Sequence, residues 1–201
     1  MAVMTQAVAT GSGSGHTRQR IISAAIELTA RDGWSSVTMG RLAEAVGVSR
    51  QTVYNEVGSK SALAEAMVLD ELGRFLDAVE RAFDEHPGDL MAAIRSAARA
   101  VLELAEDNVL LHAIVSATHA AGTDLLPLLT THAGSLLSTA RAVLTERLTR
   151  FELPFDEHQR GVVIDVVVRV VLSHVMQPSD TPDRTAQDIA WVAGRVLRAP
   201  D

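Results

Sequence analysis

The chain has 201 residues, of which 47% are hydrophobic and 21% charged, a balance typical of a globular protein with one large or two small domains. It contains no cysteine, which excludes disulfide frameworks and thiolate metal sites. No apolar run reaches the length of a membrane span, and residues 1–15 lack the basic flank and apolar centre of a signal peptide. We therefore expect a cytoplasmic protein.

The net charge of −7 is distributed unevenly along the chain. Residues 16–60 hold six basic and four acidic residues, whereas residues 61–201 hold twelve basic and twenty-one acidic residues. Lys60 and Tyr54, the only Lys and the only Tyr of the chain, both lie in the basic segment. This distribution favours an N-terminal segment that faces a polyanion and an acidic remainder that faces away from it.

The N-terminal residues predict a disordered arm and then a helix. Residues 1–15 end in Gly-Ser-Gly-Ser-Gly without apolar periodicity, and a phosphate-binding loop is disfavoured because no strand precedes the glycines and no Gly-Lys-Ser/Thr follows them. A helix is expected from His16 to Gly33. Arg18 and the other basic residues at its start suit contacts to phosphate or to a minor groove, and an exposed basic helix start is the alternative.

Residues 38–60 predict two short helices joined by a tight turn. Thr38 caps the first helix, and Gly47 ends it because a residue without Cβ adopts the left-handed conformation easily. Ser49 caps the second helix, which runs from Arg50 to Val57 and keeps mostly polar residues on its outer side. A short polar helix held against another by a glycine turn is a helix-turn-helix, the shape that enters a DNA major groove.

A long helix follows from Lys60 to about Glu85, ended by His86-Pro87-Gly88. At ~1.5 Å per residue it spans about 38 Å, enough to connect a DNA-binding head to a separate body. Every later segment also predicts a helix, including residues 156–176, where Asp165, Arg169 and Ser173 recur every four residues and disfavour a buried strand. Asp165 and Arg169 are expected to pair with each other. The later helices are expected at 90–107, 109–121, 125–129, 132–151, 156–176 and 185–198.

The helix-turn-helix residues resemble the DNA-binding signature of TetR-type transcriptional repressors. The elements in common are Gly47-Val48-Ser49, Thr52-Val53-Tyr54 and Lys60, and the similarity extends back through residues 21–33. The chain departs from the family at Asn55 and Glu56, where an aromatic residue or His is usual. The resemblance implies an all-α fold of about nine helices. It also implies an arm at 1–15, a three-helix DNA-binding head at 16–60 and a helical ligand-binding and dimerisation body at 61–201.

The resemblance also assigns roles in DNA binding. Arg50, Gln51 and Tyr54 are expected near base edges, since Arg is the side chain that best forks onto guanine. Thr38, Ser49, Thr52 and Lys60 are expected to bind phosphate and fix the register. The complete predicted DNA-binding set is Arg18, Thr38, Ser49, Arg50, Gln51, Thr52, Tyr54, Asn55 and Lys60.

The body is expected to form a homodimer and to hold a small molecule. In the family the last two helices pair with their copies in a second subunit, and two recognition helices about 34 Å apart read a near-palindrome better than one does. The predicted dimer contacts are Val163, Val167, Val170, His174, Trp191, Val192 and Arg195. The predicted pocket residues are Leu102, Leu111, His112, Val115, His119, Leu126, Leu137 and Arg141.

The aliphatic character of the middle helices favours a flexible effector, such as a fatty-acyl or alkane-derived molecule, over a flat aromatic one. The alternative is that these leucines only pack with one another. His112 and His119 lack an acidic or His partner at i+3 or i+4, so neither a metal nor another cofactor is expected. The sequence thus predicts a ligand-responsive DNA-binding regulator, most simply a repressor, without catalytic residues. A helical adapter or a small lipid-modifying enzyme that does not bind DNA is the alternative.

Overall fold

The structure, a computed structural model, describes residues 11–112 and 133–197. In these ranges the chain is all-α, which confirms the predicted fold class. None of the helices described there combines the length and apolar character needed to cross a membrane. The α-helices are α1 (Gly11–Asp32), α2 (Met39–Val46), α3 (Arg50–Val57), α4 (Lys60–Glu85), α5 (Leu90–Glu106), α6 (Ala133–Leu148), α7 (Glu157–Met176) and α8 (Pro182–Leu197), with a 3₁₀ turn at Trp34–Ser36.

Two compact units make up the described chain. The N-terminal unit comprises residues 11–70 and His112, and the C-terminal unit comprises residues 71–111 and 133–197. The division falls between Asp70 and Glu71, inside α4, so that both units include part of this helix. The functional division predicted at residue 60 stays a prediction.

The N-terminal unit folds around the side chains that α1, α2 and α3 turn toward one another. Ile21, Leu42 and Val53 are fully buried there, together with Leu63 from the first turn of α4. These apolar residues recur at helical spacing in the sequence, so burying them on one side leaves the polar side of each short helix in solvent. The three helices α1, α2 and α3 therefore share one core, to which the first turn of α4 contributes.

The first helix begins earlier than the sequence predicted. Residues 11–15 form the first turns of α1 instead of part of a disordered arm, and residues 1–10 of that arm lie outside the described residues. Glycine costs a helix about 1 kcal/mol relative to alanine. Extending an existing helix requires no new nucleation, so the long apolar face after His16 carries the glycines into the helix.

The last helix also begins early, at Pro182 instead of Thr185. Proline suits a first helical position because its missing N–H has no partner to lose there.

The C-terminal unit is held by apolar packing and by ion pairs. Phe83 meets Phe151 edge-on with ring centroids 6.2 Å apart. Arg147 of α6 binds Glu80 and Asp84 of α4, and Arg150 donates to Asp84 at 2.8 Å. These arginines therefore attach α6 to the second half of α4. The buried cluster beside them consists of Ala82, Phe83, Ala93, Ala97, Leu148 and Ile164.

Candidate nucleic-acid interface

The helix α3 is anchored by its apolar side and leaves its polar side in solvent. Val53 is fully buried and Val57 nearly so. Gln51 and Asn55 are exposed, and the ring of Tyr54 is 53% exposed. The amide nitrogen of Gln51 donates to Asn55 Oδ1 at 2.9 Å, so these two side chains form one hydrogen-bonded pair along the outer face. This face presents both hydrogen-bond donors and acceptors, which contact with base edges requires.

Both helices of the motif begin with the side-chain caps that the sequence predicted. Thr38 Oγ1 accepts from the backbone N–H of Arg41 at 3.2 Å, and Ser49 Oγ accepts from that of Thr52 at 3.0 Å. Ser49 Oγ also lies 2.9 Å from Thr52 Oγ1. Gly47 has φ 74°, the left-handed conformation predicted for the turn. The predicted phosphate-binding hydroxyls thus mark the N-termini of α2 and α3, where backbone N–H groups favour anions.

Arg18 and Arg20 of α1 bind the opposite ends of the same two helices. Arg18 donates to the backbone carbonyl of Glu56 at the end of α3, and Arg20 donates to that of Val46 at 2.6 Å, at the end of α2. A cation near a helix C-terminus is favoured by the helix dipole and satisfies a carbonyl that has no partner within its helix. Arg18, predicted to bind DNA, therefore holds α3 in place. Arg20, two residues further along the same helix, was considered for phosphate contacts with the other basic residues at the helix start but was not included in the predicted DNA-binding set.

Asp32, at the end of α1, binds Arg31 and Arg41. Arg31 donates to it at 3.1 Å, and Arg41 also binds it as well as the carbonyl oxygen of Ser36. The hydrogen bond from Arg31, followed by that from Arg41, holds the pKa of the Asp32 carboxyl below its usual range. Hydrogen bonding to Asp32 likewise raises the pKa of Arg31. These arginines therefore connect the end of α1 to α2.

Lys60 lies against a tryptophan that the sequence analysis did not single out. Its ammonium donates to the backbone carbonyl of Trp34 at 3.0 Å and lies 4.8 Å from the centre of the Trp34 ring. Trp34 itself is buried. An ammonium has three donors, so Lys60 keeps others for a phosphate while it fixes the start of α4. Trp34 directly follows Gly33 at the end of α1, and this tryptophan next to the motif was the sequence feature from which the contact could have been predicted.

Arg50, the first residue of α3, differs from the other arginines of the N-terminal unit. Its guanidinium makes no hydrogen bond or ion pair with any residue that the structure describes, and the residue is exposed. The guanidinium lies against Gly40 of α2, where a Cβ would come within 2.8 Å of Arg50 Nε and 2.9 Å of Cζ. Arg50 was predicted as a DNA contact, but its position against Gly40 was not predicted.

The predicted pocket residues fall in different environments. Leu102 is buried, Leu111 and Leu137 are half-buried, and His112 is exposed. Arg141 is exposed and lies 3.5 Å from Asp165, which also accepts from Arg169 at 2.8 Å. The predicted pairing of Asp165 with Arg169 is therefore confirmed, and the hydrogen bond from Arg169 lowers the pKa of Asp165. Val115, His119 and Leu126 lie outside the described residues.

The predicted dimer contacts divide between the interior and the surface of the C-terminal unit. Val163, Val167 and His174 are half-buried, and Val167 packs against a buried cluster of α5 and α8. Trp191 is 63% exposed, with the guanidinium of Arg195 5.4 Å from its ring centre. Val170 and Val192 are also exposed. Further large apolar side chains of the same two helices, which are not in the list of predicted dimer contacts, are exposed as well: Val162, Val166, Leu172, Met176 and Val196.

Comparison with known proteins decides the family. Residues 21–67 match the profile of bacterial regulatory proteins of the tetR family, and residues 89–195 match that of the bacterial tetracyclin repressor C-terminal domain. The chain belongs to the TetR family of transcriptional regulators. The resemblance found in residues 21–60 is thereby confirmed. TetR-family regulators are DNA-binding proteins without enzymatic activity, so the chain is a DNA-binding transcriptional regulator.

Several relatives of this TetR-family protein are known. It is 30% identical over 174 residues to the HTH-type transcriptional regulator AlkX of Mycobacterium tuberculosis, a match that covers 86% of this chain and 81% of the relative. It superposes with a TM-score of 0.71 and 29% identity on the TetR family repressor AlkX of a Dietzia strain, covering 90% and 95% of the two chains. A TetR-family regulator from Mesorhizobium loti superposes with a TM-score of 0.66 at 18% identity over 91% and 97% of the chains.

No group of three or more His, Asp or Glu side chains in the described parts of this TetR-family chain is arranged to hold a metal ion. The functional groups that distinguish the motif are its positively charged side chains. Most of them already bind acceptors within the N-terminal unit, and Arg50 does not. Within the described residues, α3 is therefore held by its neighbours, and the guanidinium of Arg50 at its start has no hydrogen-bond or ion-pair partner.

Proposed function

We propose that this TetR-family regulator is a cytoplasmic repressor that binds a near-palindromic operator as a homodimer and is released by a small apolar effector. The observation that carries the proposal is the outer face of α3. Gln51, Tyr54 and Asn55 are exposed on it, while Val53 opposite is fully buried. A helix anchored in this way can enter a major groove without unfolding any part of its own core.

In this proposal the side chains of the motif divide into two groups. Arg50, Gln51 and Tyr54 contact base edges, whereas Lys60 and the capping hydroxyls of Thr38, Ser49 and Thr52 contact phosphates. Asn55 supports Gln51 through their hydrogen bond, and Arg18 supports α3 from behind. Phosphate contacts contribute to binding of every sequence, and base contacts contribute only to the correct one.

This division is tested by titrating the protein with a selected operator and with random duplex at several salt concentrations. Lys60→Ala should weaken both complexes alike and reduce the salt slope by about one. Gln51→Ala should weaken the operator complex and spare the random one. Arg95→Ala in α5, which removes an exposed positive charge from the other unit, serves as the control and should change neither. Selective loss of the operator complex in Lys60→Ala would remove Lys60 from the phosphate group.

The dimer is supported by the apolar surface of α7 and α8. Val162, Val166 and Val170 follow one another at intervals of four residues on α7, and Trp191 and Val192 lie on α8. So many exposed large apolar side chains on two neighbouring helices favour an interaction site, because their contact with water is unfavourable. A two-fold axis would let each copy cover the same surface of the other. Two recognition helices would then meet successive major grooves.

Sedimentation equilibrium tests this dimer with a matched pair of variants. Val166→Asp places a carboxylate in the proposed contact, and Val109→Asp places one on a valine of nearly equal exposure (54% and 52%) elsewhere in the C-terminal unit. Burying an unpaired charge costs several kcal/mol, so Val166→Asp should be monomeric at concentrations where wild type and Val109→Asp are dimers. A Val166→Asp protein that stays dimeric contradicts this location of the interface.

The nature of the effector is supported by the aliphatic pocket residues and by the relatives. The Dietzia repressor AlkX is described as implicated in biodegradation of n-alkanes. We propose that the present chain likewise responds to a fatty-acyl or alkane-derived molecule, held by the predicted pocket residues of the body. Such a ligand must bind the released form better than the DNA-bound form, by a coupling of typically 1–3 kcal/mol. Alkanes, fatty acids and acyl-CoA thioesters of graded chain length are therefore tested for release of bound operator, with a planar aromatic compound as control.

A length-dependent release by one aliphatic class supports this assignment. Release by the aromatic compound alone contradicts it without affecting the proposal of DNA binding. Salt-dependent retention of a promoter fragment distinguishes the operator-binding repressor from the adapter, since an adapter that holds protein through its N-terminal unit would retain no duplex.

A further inference from the structure

Gly40 occupies a position in α2 where a glycine has no backbone reason to be. It is the second residue of an eight-residue helix, and glycine is the poorest helix former after proline. The glycines with positive φ in the described chain are Gly33, Gly47 and Gly58, and Gly40 is not among them. Its backbone could therefore carry any side chain that the surrounding space admits.

The space beside Gly40 is filled by the side chain of Arg50. A Cβ built on Gly40 would lie 2.8 Å from Arg50 Nε and 2.9 Å from Cζ, and it would be closer still to Nη2. Carbon atoms in real structures do not come this close to a guanidinium, so even a methyl group at residue 40 must displace it. The absence of a side chain at residue 40 thus leaves room for the guanidinium of the first residue of the recognition helix.

The guanidinium that lies on Gly40 has its donors free. Arg18 and Arg20 bind carbonyl oxygens of Glu56 and Val46. Arg31 and Arg41 bind Asp32. Arg50, in contrast, makes no hydrogen bond or ion pair with the residues described in the structure. A planar group with five N–H donors can fork onto a guanine edge only if its plane is held in a suitable place.

We propose that Gly40 is a positioning residue for DNA recognition: because it has no side chain, it leaves open the seat on α2 in which the guanidinium of Arg50 lies, and it influences base preference through Arg50 without contacting DNA itself. The inference rests on the proposed function for its DNA readout. A side chain at residue 40 would exclude the guanidinium from this seat. Arg50 would then approach the DNA from a different position.

The test compares Gly40→Ala, Arg50→Ala and the double variant on the operator selected by the wild type. Arg50→Ala should weaken operator binding about 5- to 150-fold, the range expected for one base-specific pair. Gly40→Ala should produce part of that loss and relax the preference at the same base pair. In the Arg50→Ala background it should have no effect, because the group it positions is gone. An equal loss from Gly40→Ala in both backgrounds, or wild-type affinity in Gly40→Ala, overturns the proposal.

Stability separates positioning from a structural role. Alanine favours a helix over glycine, so Gly40→Ala should melt at the wild-type temperature or higher while binding DNA less tightly. Gly73→Ala in α4, where nothing lies within 4 Å of an added Cβ, is the matched control and should keep full affinity. If Gly40→Ala lowered melting temperature and affinity together, the effect would be structural and the proposal wrong.

A measurement on the protein without DNA tests the effect of Gly40 on Arg50 separately from the proposed DNA-binding function. The Nε–Hε resonance of Arg50 should shift in Gly40→Ala, whereas that of Arg20, which caps α2, should not. An unchanged Arg50 resonance overturns the seat whether or not the protein binds a duplex. A wild-type protein that retains no duplex refutes the proposed function and, with it, the role in recognition.

Discussion

Replacing Asn108 by alanine is expected to destabilise the C-terminal unit by about 2–4 kcal/mol. The side chain of Asn108 makes two hydrogen bonds: its Oδ1 accepts from the backbone N–H of Leu111 at 2.7 Å, and its Nδ2 donates to Glu71 Oε2 at 2.6 Å. The first bond caps the helical segment at residues 109–112 and is worth about 1 kcal/mol. The second satisfies a carboxylate on α4 whose residue is only 8% exposed, and hydrogen bonds to charged groups contribute about 1.5–3 kcal/mol.

The remaining partner of Glu71 limits the loss. Arg74 donates to Glu71 Oε1 at 3.1 Å, so the carboxylate stays paired when Asn108 is removed. The measurement is urea denaturation at one fixed protomer concentration, because the stability of a dimer depends on concentration. Asn55→Ala removes an exposed amide that also makes one side-chain hydrogen bond, and it should change the free energy of unfolding by less than about 0.5 kcal/mol.

A double-mutant cycle identifies the bond responsible. If the buried hydrogen bond dominates, Asn108→Ala and Glu71→Ala should be coupled by at least about 1 kcal/mol. Asn108→Asp keeps the cap acceptor for Leu111 but brings a second carboxylate to Glu71, so it should be destabilised as well. A cost below about 0.5 kcal/mol for Asn108→Ala, or additive single variants, would refute the reasoning.

Two further predictions concern the packing of the C-terminal unit. The hydrogen bond from Arg150, above all, holds the pKa of Asp84 below its usual range. The stability that the ionised Asp84 contributes is therefore complete above the pKa of an unfolded aspartate and is lost as the pH falls through the lower folded value. Asp84→Asn should flatten the acid side of a plot of urea midpoint against pH, and an unchanged plot would contradict the assignment. An added Cβ at Gly194 would lie 3.0 Å from Met91 Sδ, so Gly194→Leu should lose about 1–3 kcal/mol by overpacking α8 against α5, whereas Gly73→Leu, with no atom near its Cβ, should not.

The motif was predicted to the residue because its signals are local. The caps at Thr38 and Ser49 act on backbone groups three residues away, and the turn at Gly47 depends on its own φ. Such preferences need no knowledge of distant chain. The predicted start of α1 was wrong because it also depended on local preference alone. Glycine disfavours a helix locally, and the adjoining stable helix overrides that preference.

The surface valines of α7 show the limit of sequence periodicity. Apart from Asp165 and Arg169, residues 161–172 are apolar, so apolar side chains occur on more than one side of the helix and the sequence does not tell which of them are covered. Val163 and Val167 were assigned to the dimer surface with Val170, yet Val167 packs inward and Val162 and Val166 are exposed. Packing against α5 and α8 decides which side of α7 is covered, and that packing involves residues far away in sequence.

The sequence by itself determined the all-α fold, the helix-turn-helix with its caps and turn, and membership in a DNA-binding family, because each depends on residues within a few positions of one another. The tertiary structure alone decided which cation binds which acceptor. Arg18 reaches a carbonyl 38 residues away and Lys60 one 26 residues away, while Arg50 comes to lie on Gly40 with its donors free. A long flexible side chain can choose among many acceptors, and only the folded arrangement of helices brings one of them within reach.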